Sequence, residues 1–191
     1  MSIRRILPMA LVALVLALAG CGGGSADPAS GPSGHAQDVA FAGATLRLHA
    51  ESLTLVDLTL GRPVPPEVST LAEEVRAEQT GQVEALADLL TGWGEEVPET
   101  MRDHLNAEEK GGAELTGVLD PQRLEELERA SDAEFAGLWL AAMSDVHRAI
   151  VEAARTEIDR GTDPDALALA RTIRKGHEDR LTRMSASAGA G

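Results

Sequence analysis

Five histidines, five methionines and a single cysteine are the residues of this sequence that ligate soft or borderline metal ions. Three of the histidines, His49, His147 and His177, fall in or beside apolar stripes of helical period, and Gln79 and Gln82 interrupt another such stripe. Met143 precedes His147 by one helical turn, and Met184 follows His177 by two. Neutral imidazole binds copper, zinc, iron and nickel, and a thioether from Met143 or Met184 would favour Cu(I). The same residues admit a second reading. A buried polar side chain costs roughly 1 to 3 kcal/mol unless paired, so the imidazoles and amides could instead satisfy one another as an internal network. The candidate metal ligands are therefore His147, His177, Met143, His49 and Met184, and Gln79 and Gln82 are candidate core polar residues.

Other chemistries lack their residues. A di-iron carboxylate centre needs Glu-x-x-His on two helices, and no histidine here has Glu three positions before it. Gly31-Pro32-Ser33-Gly34 lacks the strand-turn-helix setting of a nucleophile elbow, and no phosphate-binding loop is present. His35 and His104 lie in expected linkers and are read as solvated. The expectation is a non-enzymatic protein, with a metal-dependent oxidoreductase as the remaining alternative.

The elements that must position these side chains are helices. Phe135, Trp139, Met143, Val146, Ile150 and Ala153 recur at steps of three and four, the period of one buried helical face. Ser131 to Glu134 reads as a capping box at the start of that helix, and Gly161 with Pro164 ends it near Arg160. An offset of 98 residues pairs His49 with His147, Pro66 with Pro164, Val75 with Ile173 and Gln79 with His177, the signature of an internal duplication. The first hairpin spans 37–93. Its opening stripe is Ala42, Leu46, His49, Leu53, Val56 and Leu60, and its return stripe is Val68, Leu71, Val75, Gln79, Gln82, Leu86 and Leu89. A crossover at 94–120 and a short helix at 121–130 lead to the second hairpin at 131–184, whose last stripe is Ala166, Ala170, Ile173, His177, Leu181 and Met184. A disordered tail is expected over 185–191. Two antiparallel hairpins with amphipathic faces predict an all-α four-helix bundle with one long crossover.

The start of the chain bears on compartment. Arg4 and Arg5, an apolar run from Ile6 to Leu18, and Leu18-Ala19-Gly20-Cys21 have the pattern of a lipoprotein signal peptide over 1–20, with Cys21 as the lipid acceptor. Residues 21–36 then form a lipidated cysteine and a flexible tether, letting the domain float about 20 Å from its anchor. The expected partner is a membrane, reached through acyl chains at the extracytoplasmic face of a bacterial envelope. The formal charge of -14 disfavours nucleic acid and adhesion through a basic patch, and nothing in the sequence marks a protein partner.

Gly117-Val118-Leu119-Asp120-Pro121-Gln122, then Leu124, Leu127, Ala130, Asp132, Glu134 and Phe135, then Met143 with His147 four later, resemble the domain-of-unknown-function 305 family of bacterial secreted and lipid-anchored proteins. The resemblance covers about Asp38 to Met184. It implies a ferritin-like helical bundle and, as in some members, copper binding. The family pattern has Met followed by a His-His pair, then Gln followed by Glu on the next helix. Here Met143 and His147 match, Val146 replaces the first histidine, and His177 and Arg180 stand at the Gln and Glu positions. In the first half His49 and Gln79 match, while Leu48 and Gln82 depart from the pattern.

Overall fold

The computed structural model describes residues 34–98 and 118–188. Cys21, the signal and tether before Gly34, His104 and most of the expected crossover lie outside them. Among the described residues the structure is helical throughout: α1 Gly34–Asp57, α2 Pro66–Trp93, α3 Pro121–Arg129, α4 Asp132–Arg160 and α5 Pro164–Ala188. The four long helices close a bundle in which α1 packs on α2 and α4, and α5 packs on α4 and α2. The α2–α5 seam is the loosest of the four. The expected all-α bundle of two hairpins is the fold observed.

The helix starts repeat with the spacing of the sequence landmarks. Gly34 and Asp132 open α1 and α4, and Pro66 and Pro164 open α2 and α5, each pair 98 residues apart (132 − 34, 164 − 66). Proline suits the first helical position because the N–H it lacks would have no intrahelical partner there. Gly61 and Gly94 take φ of 77° and 76°, the left-handed conformation that ends α1's trailing turn and α2. The Gly94 and Glu95 amides bond back to the Thr91 and Leu90 carbonyls.

Several boundaries differ from expectation. Residues 34–36, assigned to the tether, are the first turn of α1, and α5 runs on to Ala188 where a disordered tail was expected from Ser185. Leu60 is not part of a buried stripe: α1 stops at Asp57, and Leu60 sits in the turn with 68% of its surface exposed. Leu90 and Ala154 are buried in place of Leu89 and Ala153, because the true 3.6-residue period drifts from a strict three-four step toward the ends of long helices. The capping box at Ser131 is also altered. Its hydroxyl donates to the Glu134 carboxylate at 2.6 Å and makes no bond to the helix backbone.

The core is built on few aromatics, and two of them, Trp139 and Phe135, meet polar groups. Trp139, wholly buried, donates its indole N–H to the Leu55 carbonyl at 2.7 Å, satisfying one of the unpaired carbonyls in the last turn of α1. Arg62, in the α1–α2 turn, stacks over the Phe135 ring and donates to the Ala130 and Glu128 carbonyls at the end of α3. Glu51 is buried on α1 and accepts the Val118 and Leu119 amides at 2.9 Å each, fixing the chain as it enters α3. Asp120 then caps α3 by accepting the Arg123 amide.

A second carboxylate pair locks the end of the bundle where α4 turns into α5. Asp38 accepts the Thr162 amide at 2.7 Å, the Thr162 hydroxyl at 2.9 Å and the Asp163 amide at 3.2 Å. Burial alone would raise its carboxyl, but those donors outweigh burial and hold it below its ordinary value. Glu157, buried on α4, is pushed up to about 7, first by burial and then by the hydrogen bond and charge of Asp38, with Asp163 adding to the charge effect. Glu157 therefore keeps its proton toward neutral pH beside the Asp38 carboxylate, with Gln37 as a further neighbour 3.5 Å from Glu157. Because the folded value lies above the ordinary 4.5, the stability contributed by this proton is present below pH 4.5 and is lost as pH rises to about 7. Glu157→Gln stays neutral at every pH. Its thermal stability should equal the parent's near pH 4 and exceed it above pH 7 by on the order of 2 kcal/mol. Melting curves from pH 4 to 8 check this, and parallel curves for the two proteins would contradict the raised Glu157 carboxyl.

Candidate metal centre

Each long helix brings a polar side chain to the middle of the bundle. α1 supplies His49, α4 His147, α5 His177, and α2 Gln79 and Gln82. The three histidines and Gln79 have no exposed surface, and Gln82 retains 7%. The His147 and His177 rings lie 4.4 Å apart between centroids, tilted by 44°, and His49 lies 5.4 Å from His177. The 98-residue offset thus has a physical outcome. His49 and His147 come from equivalent points of α1 and α4, and both meet His177, the equivalent of Gln79.

Hydrogen bonding inside the cluster is incomplete. His49 Nε2 lies 2.7 Å and His177 Nε2 3.4 Å from the same oxygen, Gln82 Oε1. His49 Nδ1, His177 Nδ1, both nitrogens of His147 and both amide atoms of Gln79 are buried with no protein partner. Burial drives all three imidazoles toward the neutral form, His49 to about 4 and His147 to about 3, with His177 also strongly lowered. The Arg180 charge adds to this at each ring. Neutral imidazoles with free lone pairs are metal ligands by type.

Arg180 and Glu78 were not among the expected site residues. Arg180, on α5 and 6% exposed, forms a two-pronged ion pair with Glu78 across the α2–α5 seam. Glu78 Oε1 also accepts the Gln82 amide at 3.0 Å. Glu78 lies one turn before Gln82, and Arg180 is Gln82's equivalent at the 98-residue offset (180 − 82). That spacing is the signal from which the pair could have been read.

Met143 and Met184 are buried. Met143 Sδ accepts the Ser52 hydroxyl at 3.3 Å, whereas Met184 Sδ lies 3.5 Å from the Ser144 hydroxyl, which donates to the Leu140 carbonyl at 2.7 Å. His35 lies in α1 rather than a linker. Its side chain is 60% exposed, sits 3.9 Å from Asp38 and meets the Trp93 ring edge-on at 5.6 Å. Among the described residues no three His, Cys, Asp or Glu side chains already stand in the arrangement of a metal site. The His147 and His177 rings meet at a 44° tilt, and a shared ion would require side chains of the cluster to turn toward it.

The profile of the family described as Domain of unknown function (DUF305) matches residues 38–188. The chain belongs to the DUF305 family. Two solved DUF305 structures share its fold. A fragment from Deinococcus radiodurans is 21% identical with a TM-score of 0.68, covering 84% of this chain and all of that one. A protein from Streptomyces coelicolor, described as a candidate secreted DUF305 protein, is 20% identical with a TM-score of 0.63, covering 78% of this chain and 88% of its own. None of the curated proteins matches the chain. In this DUF305 chain, Val146, next to His147, is a fully buried core residue, and Arg180 is paired with Glu78 of the facing helix.

The unpartnered ring of His147 has a cost that substitution exposes. Leu has a similar volume and needs no hydrogen bond, so His147→Leu should raise the stability of the metal-free protein by about 1 to 3 kcal/mol. Thermal or urea unfolding measures this. A lower melting temperature would show that the imidazole is satisfied in the core.

Proposed function

We propose that this DUF305 protein is a lipid-anchored extracytoplasmic bundle that binds one soft or borderline metal ion, copper favoured, and that it acts by binding rather than by catalysis. The observation that supports this reading is the concentration of unpartnered lone-pair atoms on three neutral imidazoles within one buried cluster. Such atoms cost several kcal/mol together unless something bonds to them. His49, His147 and His177 would hold the ion, and Met143 could add a thioether only by giving up the Ser52 hydroxyl. Copper bound there would be shielded from water, because the three imidazoles have no exposed surface. Glu78 offsets the charge of Arg180 at the edge of the cluster, so the added cation does not face an uncompensated guanidinium.

The lipid anchor rests on Leu18-Ala19-Gly20-Cys21 following a short apolar run with two arginines before it. The description of the Streptomyces coelicolor protein as a candidate secreted protein supports the same side of the membrane. No helix among the described residues is long and apolar enough to cross a membrane. A second reading, a metal-free scaffold lipoprotein with a decayed site, draws support from the imidazoles' resting orientation, which does not converge on one point.

Two experiments test these assignments. The purified protein, exposed separately to Cu(I), Cu(II) and Zn(II) and then desalted, should retain about one equivalent of Cu(I), and His147→Leu should retain none; retention of no metal by the parent establishes the scaffold reading. For the anchor, Cys21→Ser should move the protein from the membrane fraction to the soluble one and remove its acyl chains. A variant that stays acylated and membrane-bound rules out Cys21 as the lipid acceptor.

A further inference from the structure

The bonds around Gln82 determine more than its own position. Its amide nitrogen lies 3.0 Å from Glu78 Oε1, a carboxylate oxygen that can only accept, and both terminal nitrogens of Arg180 donate to the same carboxylate. Flipping the amide would set oxygen against oxygen, so the nitrogen faces Glu78 and Oε1 faces the histidines. Oε1 has no proton to give. His49 Nε2 at 2.7 Å and His177 Nε2 at 3.4 Å must then both be N–H donors to it. In a neutral imidazole one protonated nitrogen leaves the other with its lone pair. For His49 and His177 that other atom is Nδ1, and in both it is buried without a partner.

We propose that Glu78, clamped by Arg180, acts through Gln82 as a positioning residue that fixes His49 and His177 as Nε2–H tautomers, leaving Nδ1 as the metal-binding atom of each. The assignment of ligand atoms rests on the metal-binding reading above; the assignment of tautomers does not. The direction of the chain, from histidine to amide to carboxylate, is the one by which an outer acceptor raises the basicity of a ligating imidazole. His147 stands outside the chain, with neither nitrogen engaged, and is free to present either one.

The duplication explains why one relay serves both histidines. Glu78 and Gln82 on α2 correspond to Gly176 and Arg180 on α5 at the 98-residue offset (176 − 78, 180 − 82). The two helices therefore carry unlike halves of one device. Arg180 supplies the cation, and Gly176 leaves room for Glu78, since a Cβ at residue 176 would lie 2.6 Å from Glu78 Oε1. Outside the pair an open cleft of about 550 Å³, lined by Glu74, Glu78, Gly176, Asp179, Arg180 and Arg183, brings solvent to the outer side of the carboxylate.

Long-range proton–nitrogen correlation spectra of the ¹⁵N-histidine-labelled protein distinguish protonated from lone-pair imidazole nitrogens directly. Without metal, His49 and His177 should each show Nε2 protonated and Nδ1 bare. The opposite tautomer, or a mixture at either residue, would overturn the relay. Gln82→Leu, which removes the shared acceptor, should let both histidines populate both tautomers, and unchanged spectra would remove Gln82 from the chain. Gly176→Ala leaves every relay residue in place but displaces the Glu78 carboxylate, and should likewise mix the tautomers; spectra identical to the parent would show that Glu78 has no part. Addition of Cu(I) to the parent should then shift the Nδ1 signals while the Nε2 protons persist. Loss of the Nε2 protons would overturn the ligand-atom assignment. No shift at any imidazole nitrogen would overturn the metal reading alone, because the tautomers are established from the metal-free spectra.

Discussion

Polar groups placed halfway along apolar helical stripes constrain how those helices can close. A helix that carries histidine or glutamine at the centre of its buried face can pack only where the polar atoms find partners or share the cost of lacking them. In this protein the long helices are brought together so that the interruptions meet at one depth. Their registration is visible in Gln82, whose single oxygen serves histidines from α1 and α5 at once. The apolar residues that flank the cluster, including Trp139, Met143, Val146, Ile150 and Ile173, have no exposed surface, so the partners are confined to what the four helices themselves supply.

Electrostatics follows from that confinement. Burial disfavours the charged form of each imidazole, the Arg180 charge adds to it, and all three stay neutral well below the ordinary range. Among the described residues, Arg180 and Glu78 are the ionised groups at the cluster, and they neutralise each other at the seam between α2 and α5. That seam is the loosest of the four, and an open cleft reaches the pair from outside. The two halves of the duplicated chain have diverged here in a complementary way. One helix holds an acid and an amide, and the other a glycine and a guanidinium, and neither set is sufficient by itself to pair and orient the amide.

The ends of the bundle use a different economy of polar groups. Asp38 and Glu51 on α1 accept backbone amides from segments far along the chain, tying the start of α5 and the approach to α3 to the same helix. Backbone amides at such points have no intrahelical acceptor, and a buried carboxylate supplies one with the charge that favours a helix start. Glu157 completes the Asp38 end with a carboxyl that burial and the Asp38 charge push up, so the two acids do not both carry charge as readily as they would in water. Gly161 follows from the same crowding, since a Cβ there would lie 2.2 Å from Glu157 Oε1.

Hydrophobic period, proline and glycine punctuation and the 98-residue repeat were enough in the sequence to specify helices, hairpins and bundle, because each is a local signal or a comparison of the chain with itself. The central position of His49, His147, His177, Gln79 and Gln82 was legible for the same reason: a polar residue inside a stripe faces where the stripe faces. Only the tertiary structure decided which of these touch. The ring contacts of His177 with both other histidines, and the choice of Gln82 rather than Gln79 as the shared acceptor, depend on side-chain directions and helix offsets that periodicity does not encode. Arg180 and Glu78 were hidden because a charged residue at a stripe edge reads as a solvated face until the opposite helix is known. Asp38, Glu51 and Glu157 were hidden in the same way, each among many acidic residues that do face water. Burial of a charge is a property of the pair, and the partners of these lie 67 to 125 residues away, a separation over which only the folded chain decides contact.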